Sequence, residues 1–145
     1  MATQSFGITF SYDADTNVGS TPTYVALGEV SDITPPSISK DVIDTTHHGS
    51  AGGVRTFVGG LVDNGEMSVT VNYDPATGSQ TALRDLAKTA NTGAVSAFKI
   101  AYSNTDSSTL EFDGIVTGFE QSTPIDDVIK ATITIKVSGQ ITYTV

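Results

Sequence analysis

The two histidines of the chain, His47 and His48, are adjacent and are the first candidates for chemistry. Neighbouring side chains on extended backbone point to opposite sides, so the two imidazoles cannot easily bind one metal ion together. Asp44 and Ser50 lie nearby and could be imagined as members of a hydrolase triad. However, no G-x-S-x-G turn frames Ser50, and triads take their members from well-separated parts of a fold. We therefore expect a polar loop or contact pair here, and no metal site.

Two acidic stretches and a glycine-rich stretch also fail as functional motifs. Asp13–Asn17 begins like a calcium loop, but Val18 stands where a glycine is needed and Tyr24 where a bidentate Glu is needed. The pair Asp126–Asp127 follows a Thr-Pro dipeptide, which is typical of a turn and not of paired catalytic carboxylates. The glycines of Gly49–Gly53 lack the spacing of a phosphate-binding loop. The sequence thus predicts no cofactor and no enzymatic activity.

The composition favours a β-protein that works by packing or self-association. A length of 145 residues suits one domain spanning 1–145, and the chain is 38% hydrophobic, only 16% charged and free of cysteine. Its polar residues are chiefly Thr, Ser, Asn and Gly, which suit strands and turns. A net charge of −9 opposes binding to nucleic acid or anionic lipid. No signal segment or run of 18 apolar residues occurs, so no membrane association is expected.

The elements that must position any site are mostly strands with period-two alternation. One predicted helix runs from about Ser79 to Ala90, with Gly93 as its stop signal. The segment from Asp44 to Gly65 contains six glycines and reads as a long loop, of the kind that is often functional. The predicted strands are Phe6–Tyr12, Thr23–Val30, about Ser37–Thr45, Met67–Tyr73, Val95–Tyr102, Thr109–Phe119 and Val128–Ser138.

These elements predict a mainly β fold of six to eight largely antiparallel strands, either a β-sandwich or a strongly curled sheet, with one flanking helix. The loop carries apolar side chains that need a cover, which could be the chain's own sheet or a neighbouring subunit. A small carbohydrate- or ligand-binding β-sandwich is an alternative function. The absence of Trp weakens that alternative, because aromatic platforms commonly bind sugars.

Two blocks of the sequence resemble one known family. The first contains DVIDTTHHG and RTFVGGLVDNGEMSVTVNYD within Asp41–Asp74, and includes an F-x-x-G-L-x-D-x-G-E run that leads into a strand. The second is FDGIVTGFEQSTPIDDVIKATITIKVSG, Phe112–Gly139. Both are similar to the tail tube (major tail) proteins of lambda-like siphophages. The histidine pair departs from that family's pattern, and residues 13–34 match nothing in it.

The resemblance implies a virion tail protein, assembled in the host cytoplasm, whose copies form hexameric rings that stack into a hollow tube. Its implied partners are itself, a tape measure protein, a tail terminator and baseplate or tail-tip proteins. DNA would leave through the lumen without specific binding, and the acidic composition fits a net negative lumen. As a hypothesis, the long loop makes the main intersubunit contact. The contact residues would be Asp44, His47, His48, Val54, Arg55, Phe57, Val58 and Leu61, with Val54, Phe57 and Val58 as apolar anchors and Arg55 as an ionic partner.

Overall fold

The computed structural model describes residues 6–14, 21–88 and 95–145. These ranges contain nine strands, one α-helix and a short 3-10 turn at Ala51–Gly53. The strands are β1 (Thr9–Asp13), β2 (Tyr24–Ala26), β3 (Val30–Thr34), β4 (Ser39–Asp44), β5 (Phe57–Asp63), β6 (Glu66–Asn72), β7 (Ser96–Ala101), β8 (Thr109–Ser122) and β9 (Lys130–Thr144), and the helix α1 is Gly78–Lys88.

The main sheet curls until its two edges approach each other. Seven strands form it in the order β2-β1-β7-β8-β9-β6-β3, all paired antiparallel. β2 and β3 lie at opposite edges, yet only Leu27–Glu29 connect them. Such a connector spans at most about 14 Å even when extended. Of the two predicted architectures, the fold is therefore the strongly curled sheet.

The core fills the inside of this curl, and it follows the alternation of the sequence. β6 and residues 130–137 of β9 bury every second residue, as the period-two pattern predicts. Phe98 on β7 stacks between Phe10 on β1 and Phe112 on β8, with ring centroids 5.8 Å apart on each side. Each large apolar side chain buried in this way contributes roughly 1.5–3 kcal/mol to folding. The cross-strand aromatic stack therefore joins three strands that are distant in sequence.

Helix α1 is tied to the sheet by one buried amide. Gln80 is fully buried; its Nε2 donates to the carbonyl oxygens of Gly28 (3.0 Å) and Asn72 (2.9 Å), and its Oε1 accepts from the N–H of Asp74 (2.9 Å). Leu83, one turn later, packs into the core. The helix thus fixes the short connector that joins the two edges of the sheet. It begins one residue before the predicted start, while Ala90 and Gly93 of the prediction lie outside the described residues.

Two strand predictions were wrong in detail. The predicted strand Phe6–Tyr12 begins only at Thr9, and Phe6 is 89% exposed, because Gly7 adopts a positive φ of 87° that turns the chain. The predicted strand Thr23–Val30 is two strands on opposite edges of the sheet. A positive φ of 56° at Glu29 accompanies the change of direction between them.

The predicted loop 44–65 is only partly a loop. Its second half is β5, which pairs with β4 as a separate two-stranded hairpin, so the count of strands rises to nine. The alternation was hidden because neither face of β5 is buried: its burial pattern shows no inward and outward residues. A period-two pattern arises only where one face packs and the other is solvated.

Candidate assembly surface

The hairpin of β4 and β5, residues 39–63, projects from the main sheet and is called the arm below. Its strands pair only with each other. The register places Ile43 opposite Val58 and Asp44 opposite Phe57, so these two pairs lie on opposite faces of the ladder. An isolated two-stranded hairpin is at best marginally stable in water. The arm therefore needs a surface to pack against that the described residues of this chain do not provide.

Apolar side chains are exposed on both faces of the arm. Phe57 is 53% exposed, and Leu61, nearer the base, is 85% exposed. Self-coverage by the sheet, one of the two possibilities left open by the sequence, does not occur among the described residues. The exposed apolar residues of the arm are Val42, Ile43, Val54, Phe57, Val58, Leu61 and Val62.

The tip of the arm is held by its own hydrogen bonds. The N–H of Thr45 donates to the carbonyl of Thr56 (2.9 Å), and the N–H of Thr56 donates to Oγ1 of Thr46 (3.0 Å). Beyond this crossing, the N–H of His47 donates to Oγ of Ser50 (3.0 Å), and the N–H of Ser50 donates to the carbonyl of His47 (2.9 Å). The tip is thus a folded turn that can present side chains in a defined arrangement.

The geometry at the base of the arm accounts for the glycines of the F-x-x-G-L-x-D-x-G-E run. Two residues of β5, Gly60 and Leu61, stand opposite Asp41 in a bulge, and a Cβ on Gly60 would lie 3.1 Å from the Cβ of Asp41. Gly65 has a φ of 68°, and a Cβ there would lie 2.7 Å from the carbonyl oxygen of Ser37. The glycines of the run therefore shape the arm and its exit into β6.

Asp63, the acidic residue of the same run, locks that exit. Its Oδ1 accepts the N–H of Gly65 (2.9 Å) and the Nζ of Lys136 on β9 (3.1 Å). The hydrogen bond from Gly65, and then the contact with Lys136, hold the pKa of the Asp63 carboxyl below its ordinary value. A hydrogen bond from the side-chain amide of Asn64 to the carbonyl oxygen of Gly139 adds a second link to β9.

The arm carries two cations, Lys40 and Arg55, within the described residues 21–88. Neither Lys40 nor Arg55 forms an ion pair within the part of the chain that the structure describes. Oδ1 of Asp44 accepts the N–H of Thr46 (2.9 Å), and hydrogen bonds to Thr46 lower the pKa of that carboxyl. In a chain of net charge −9, an arginine that lies beside exposed apolar residues and pairs with no described carboxylate is a distinctive feature.

The residues that suggested chemistry do not assemble a catalytic or metal site. Oγ of Ser50 lies 3.2 Å from Nδ1 of His47, but this contact is the short turn of the arm tip and Asp44 is bonded to Thr46 instead. No group of three or more potential metal ligands occurs within 6–14, 21–88 and 95–145. Asp13 accepts the N–H of Thr23 at 2.9 Å, and residues 15–17 of the calcium-like stretch lie outside the described residues.

Sequence reasoning missed a second exposed apolar surface, the turn between β8 and β9, residues 123–129. Ile125 is fully exposed, and Val128 and Ile129 are partly exposed. Asp127 pairs with Lys130 at 3.7 Å, whereas Asp126 forms no ion pair with any described residue. The signal was present in the sequence, because the Pro-Ile-Asp-Asp-Val run places two apolar residues in a turn that is otherwise polar.

Comparison with known proteins gives one family and a consistent fold. The family model of the lambda phage tail tube protein matches residues 9–144. The match includes residues 13–34, so the expectation that this stretch matches nothing in the family was wrong. No curated protein matches the chain. No described helix has the length and apolar character needed to cross a membrane.

Three solved structures illustrate the likeness. The tail of an empty gene transfer agent particle, refined with C6 symmetry, is 15% identical with a TM-score of 0.73, and the match covers 99% of this chain and 100% of that chain. The SPP1 tail tube is 12% identical with a TM-score of 0.73, covering 98% and 78%. The sheath–tube complex of an extracellular contractile injection system is 11% identical with a TM-score of 0.71, covering 99% and 91%. At these identities the likeness establishes the fold.

Proposed function

The chain belongs to the lambda phage tail tube protein family, and on this basis we propose that its copies close into six-membered rings that stack into a hollow tube. As a member of this family it is a structural protein of the virion tail. The observation that supports self-assembly most directly is the arm, which exposes apolar residues on both faces. The sixfold symmetry of the gene transfer agent tail, whose subunit has the same fold, supports six copies per ring.

Electron microscopy tests this proposal. Purified protein is concentrated near neutral pH and imaged in negative stain. We expect hollow tubes or rings of uniform diameter with six subunits per ring. Persistent monomers at every concentration, together with failure to incorporate into tails that contain initiator proteins, would contradict the proposal.

The arm is our proposed main intersubunit contact. Val54, Phe57 and Val58 serve as apolar anchors, and Arg55 serves as the ionic partner, because interface energy concentrates in a few large apolar and Arg side chains. Asp44, His47 and His48 shape and flank the tip, and Leu61 extends the apolar surface toward the base.

Phe57→Ala is expected to raise the protein concentration needed for tube formation by about tenfold or more, because truncating an anchor commonly costs above about 1.4 kcal/mol. Sedimentation measures the assembled fraction against concentration. Val25→Ala is the matched control, since Val25 is also an exposed apolar strand residue but lies outside the arm. Tubes that form equally well from the Phe57 variant would contradict the assignment of Phe57.

We further propose that the tube encloses DNA without holding it and that the wall facing DNA is net negative. A formal charge of −9 per chain supports weak contact between wall and phosphate. A tape measure protein, a tail terminator and baseplate proteins would be the other partners, and no catalytic step is assigned to the chain. A tube map with a basic inner wall would contradict the lumen proposal.

A further inference from the structure

The arm and the β8–β9 turn are the two places in the described chain where several exposed apolar residues lie close together in sequence with an unpaired charge beside them. The arm has Arg55 beside Val54 and Phe57, and the turn has Asp126 beside Ile125. The charges have opposite sign. Each surface can therefore supply the other with a charge of opposite sign and with apolar side chains that cover its exposed apolar residues.

The two surfaces lie at opposite ends of the molecule's central strands and do not cover each other within one chain. The arm joins the sheet where Glu66 pairs with Lys136, and the turn joins it where Asn72 pairs with Lys130. Six residues of strand separate these points, which is about 20 Å. In the single chain Ile125 is fully exposed and Val54 is 65% exposed, so a contact between the arm and the turn is one between two copies.

We propose that the arm of one subunit docks on the β8–β9 turn of the next, with Val54 and Phe57 against Ile125 and Arg55 paired with Asp126. This inference rests on the proposed self-assembly and names the surface that the arm binds. A contact between two different patches of identical chains is head-to-tail, so after the first contact one copy keeps a free turn and the other keeps a free arm. Such a contact can repeat around a ring or along a stack.

The ionic pair supplies direction and register as well as attraction. Asp127 already pairs with Lys130 and accepts the N–H of Val128 at 2.8 Å, which leaves Asp126 as the carboxylate of the turn available to a partner. On the arm, Arg55 forms no ion pair with any described carboxylate. Complementary charges of this kind favour the correct docking partner and suppress like-charged contacts.

A charge exchange tests the pair. Arg55→Glu and Asp126→Lys are each expected to raise the concentration needed for assembly about tenfold, since each places like charges together. The double variant restores opposite charges and is expected to assemble within about threefold of the wild type. Single variants without effect, or a double variant no better than the worse single one, would overturn the pairing. Restored assembly is an outcome that damage to folding cannot produce.

Cysteine cross-linking tests the contact independently, because the chain has no cysteine of its own. The double variant Val54→Cys, Ile125→Cys should give disulfide-linked multimers on mild oxidation, since a disulfide requires Cα atoms about 4.4–6.8 Å apart. The control, Val54→Cys with Thr105→Cys, places the second thiol on the exposed β7–β8 turn and should stay monomeric on a denaturing gel.

The possible outcomes separate this contact from the general function. Absence of a selective cross-link in concentrated protein, with or without tubes, would overturn the contact. Tubes that form from the wild type in that case would leave the tail tube role intact. A selective cross-link without tubes would support the contact and count against unaided tube formation.

Discussion

Asp63 shows how a single side chain can hold the base of the arm in place. Its carboxylate bonds to the Gly65 N–H and to Lys136, and both contacts favour the charged form. The folded-state pKa is therefore below the ordinary value of 3.8. A depressed acid stabilises the fold above its unfolded-state pKa, and this stabilisation is lost as pH falls through the folded-state pKa. The arm base should accordingly loosen only in strong acid.

We predict that the amide chemical shift of Gly65, followed by NMR, titrates with a midpoint below 3.8 in the monomeric protein. In Lys136→Met the midpoint should rise but stay below that value, because the bond from Gly65, the larger cause, remains. A wild-type midpoint at or above the ordinary value would show that Asp63 does not make these contacts in solution.

Gln80 is the second residue whose role is defined by its bonds. Gln80→Leu would remove the hydrogen bonds to the Gly28 carbonyl in the β2–β3 connector and to the Asn72 carbonyl and Asp74 N–H at the end of β6. We expect the free energy of unfolding, measured in urea, to fall by about 2–4 kcal/mol. Gln121→Leu makes the same change at an exposed position of β8 and should have little effect. Equal effects of the two substitutions would refute a special role for Gln80.

At the scale of elements, the orientation of the arm depends on Gly65. Gly65→Ala combines a positive φ with a Cβ 2.7 Å from the Ser37 carbonyl oxygen, so the chain must shift where the arm leaves the sheet. Gly53→Ala is the matched control: it also has a positive φ, 64°, but its Cβ would meet nothing within 4 Å.

We expect Gly53→Ala to cost only the conformational strain of about 1 kcal/mol, and Gly65→Ala to cost more and to reduce tube assembly strongly. Hydrogen exchange of β4 and β5 amides, compared with β9 amides, locates the change. Unaltered exchange in the arm of the Gly65 variant would rule out this account of the glycine.

The elements also show what the sequence could and could not predict. β6 and the first part of β9 were predicted well because one face of each packs on the core, which imposes a period of two on the residue types. Residues 139–144 of β9 were not predicted, since the alternation of buried residues ends at Val137. β5 was not predicted because both of its faces are exposed in the single chain. The long excursion was correctly singled out as unusual. The hairpin structure of this stretch required knowledge of which strands pair, and no local pattern contains that. The curl of the sheet was not predictable either, because it follows from β2 and β3 lying at opposite edges of the sheet although they are neighbours in sequence.

At the scale of the whole molecule, the arm and the main sheet are separable. No residue of the arm belongs to the buried core, and the arm shares no ladder with the main sheet. Replacing residues 40–62 by a short Gly-Ser linker should therefore leave a folded subunit whose free energy of unfolding stays within about 1 kcal/mol of the wild type. The same variant should not form tubes.

Thermal unfolding by circular dichroism and electron microscopy check the two halves of this prediction. Loss of the cooperative transition would show that the arm contributes to the core. Tubes from the arm-less chain would show that other surfaces suffice for assembly.

The position of β9 in the sheet has a consequence for biosynthesis. β9 lies between β8 and β6, and among the described strands it alone pairs the β2-β1-β7-β8 group with the β6-β3 group. It is also translated after every other strand of the sheet. Until the ribosome has passed residue 144, the nascent chain holds two partial sheets whose apolar faces cannot close, and such species aggregate readily. Chains translated from messenger RNA truncated before β9 should therefore misfold and be degraded by proteases. They should not become incomplete subunits that join a growing tail and block further assembly.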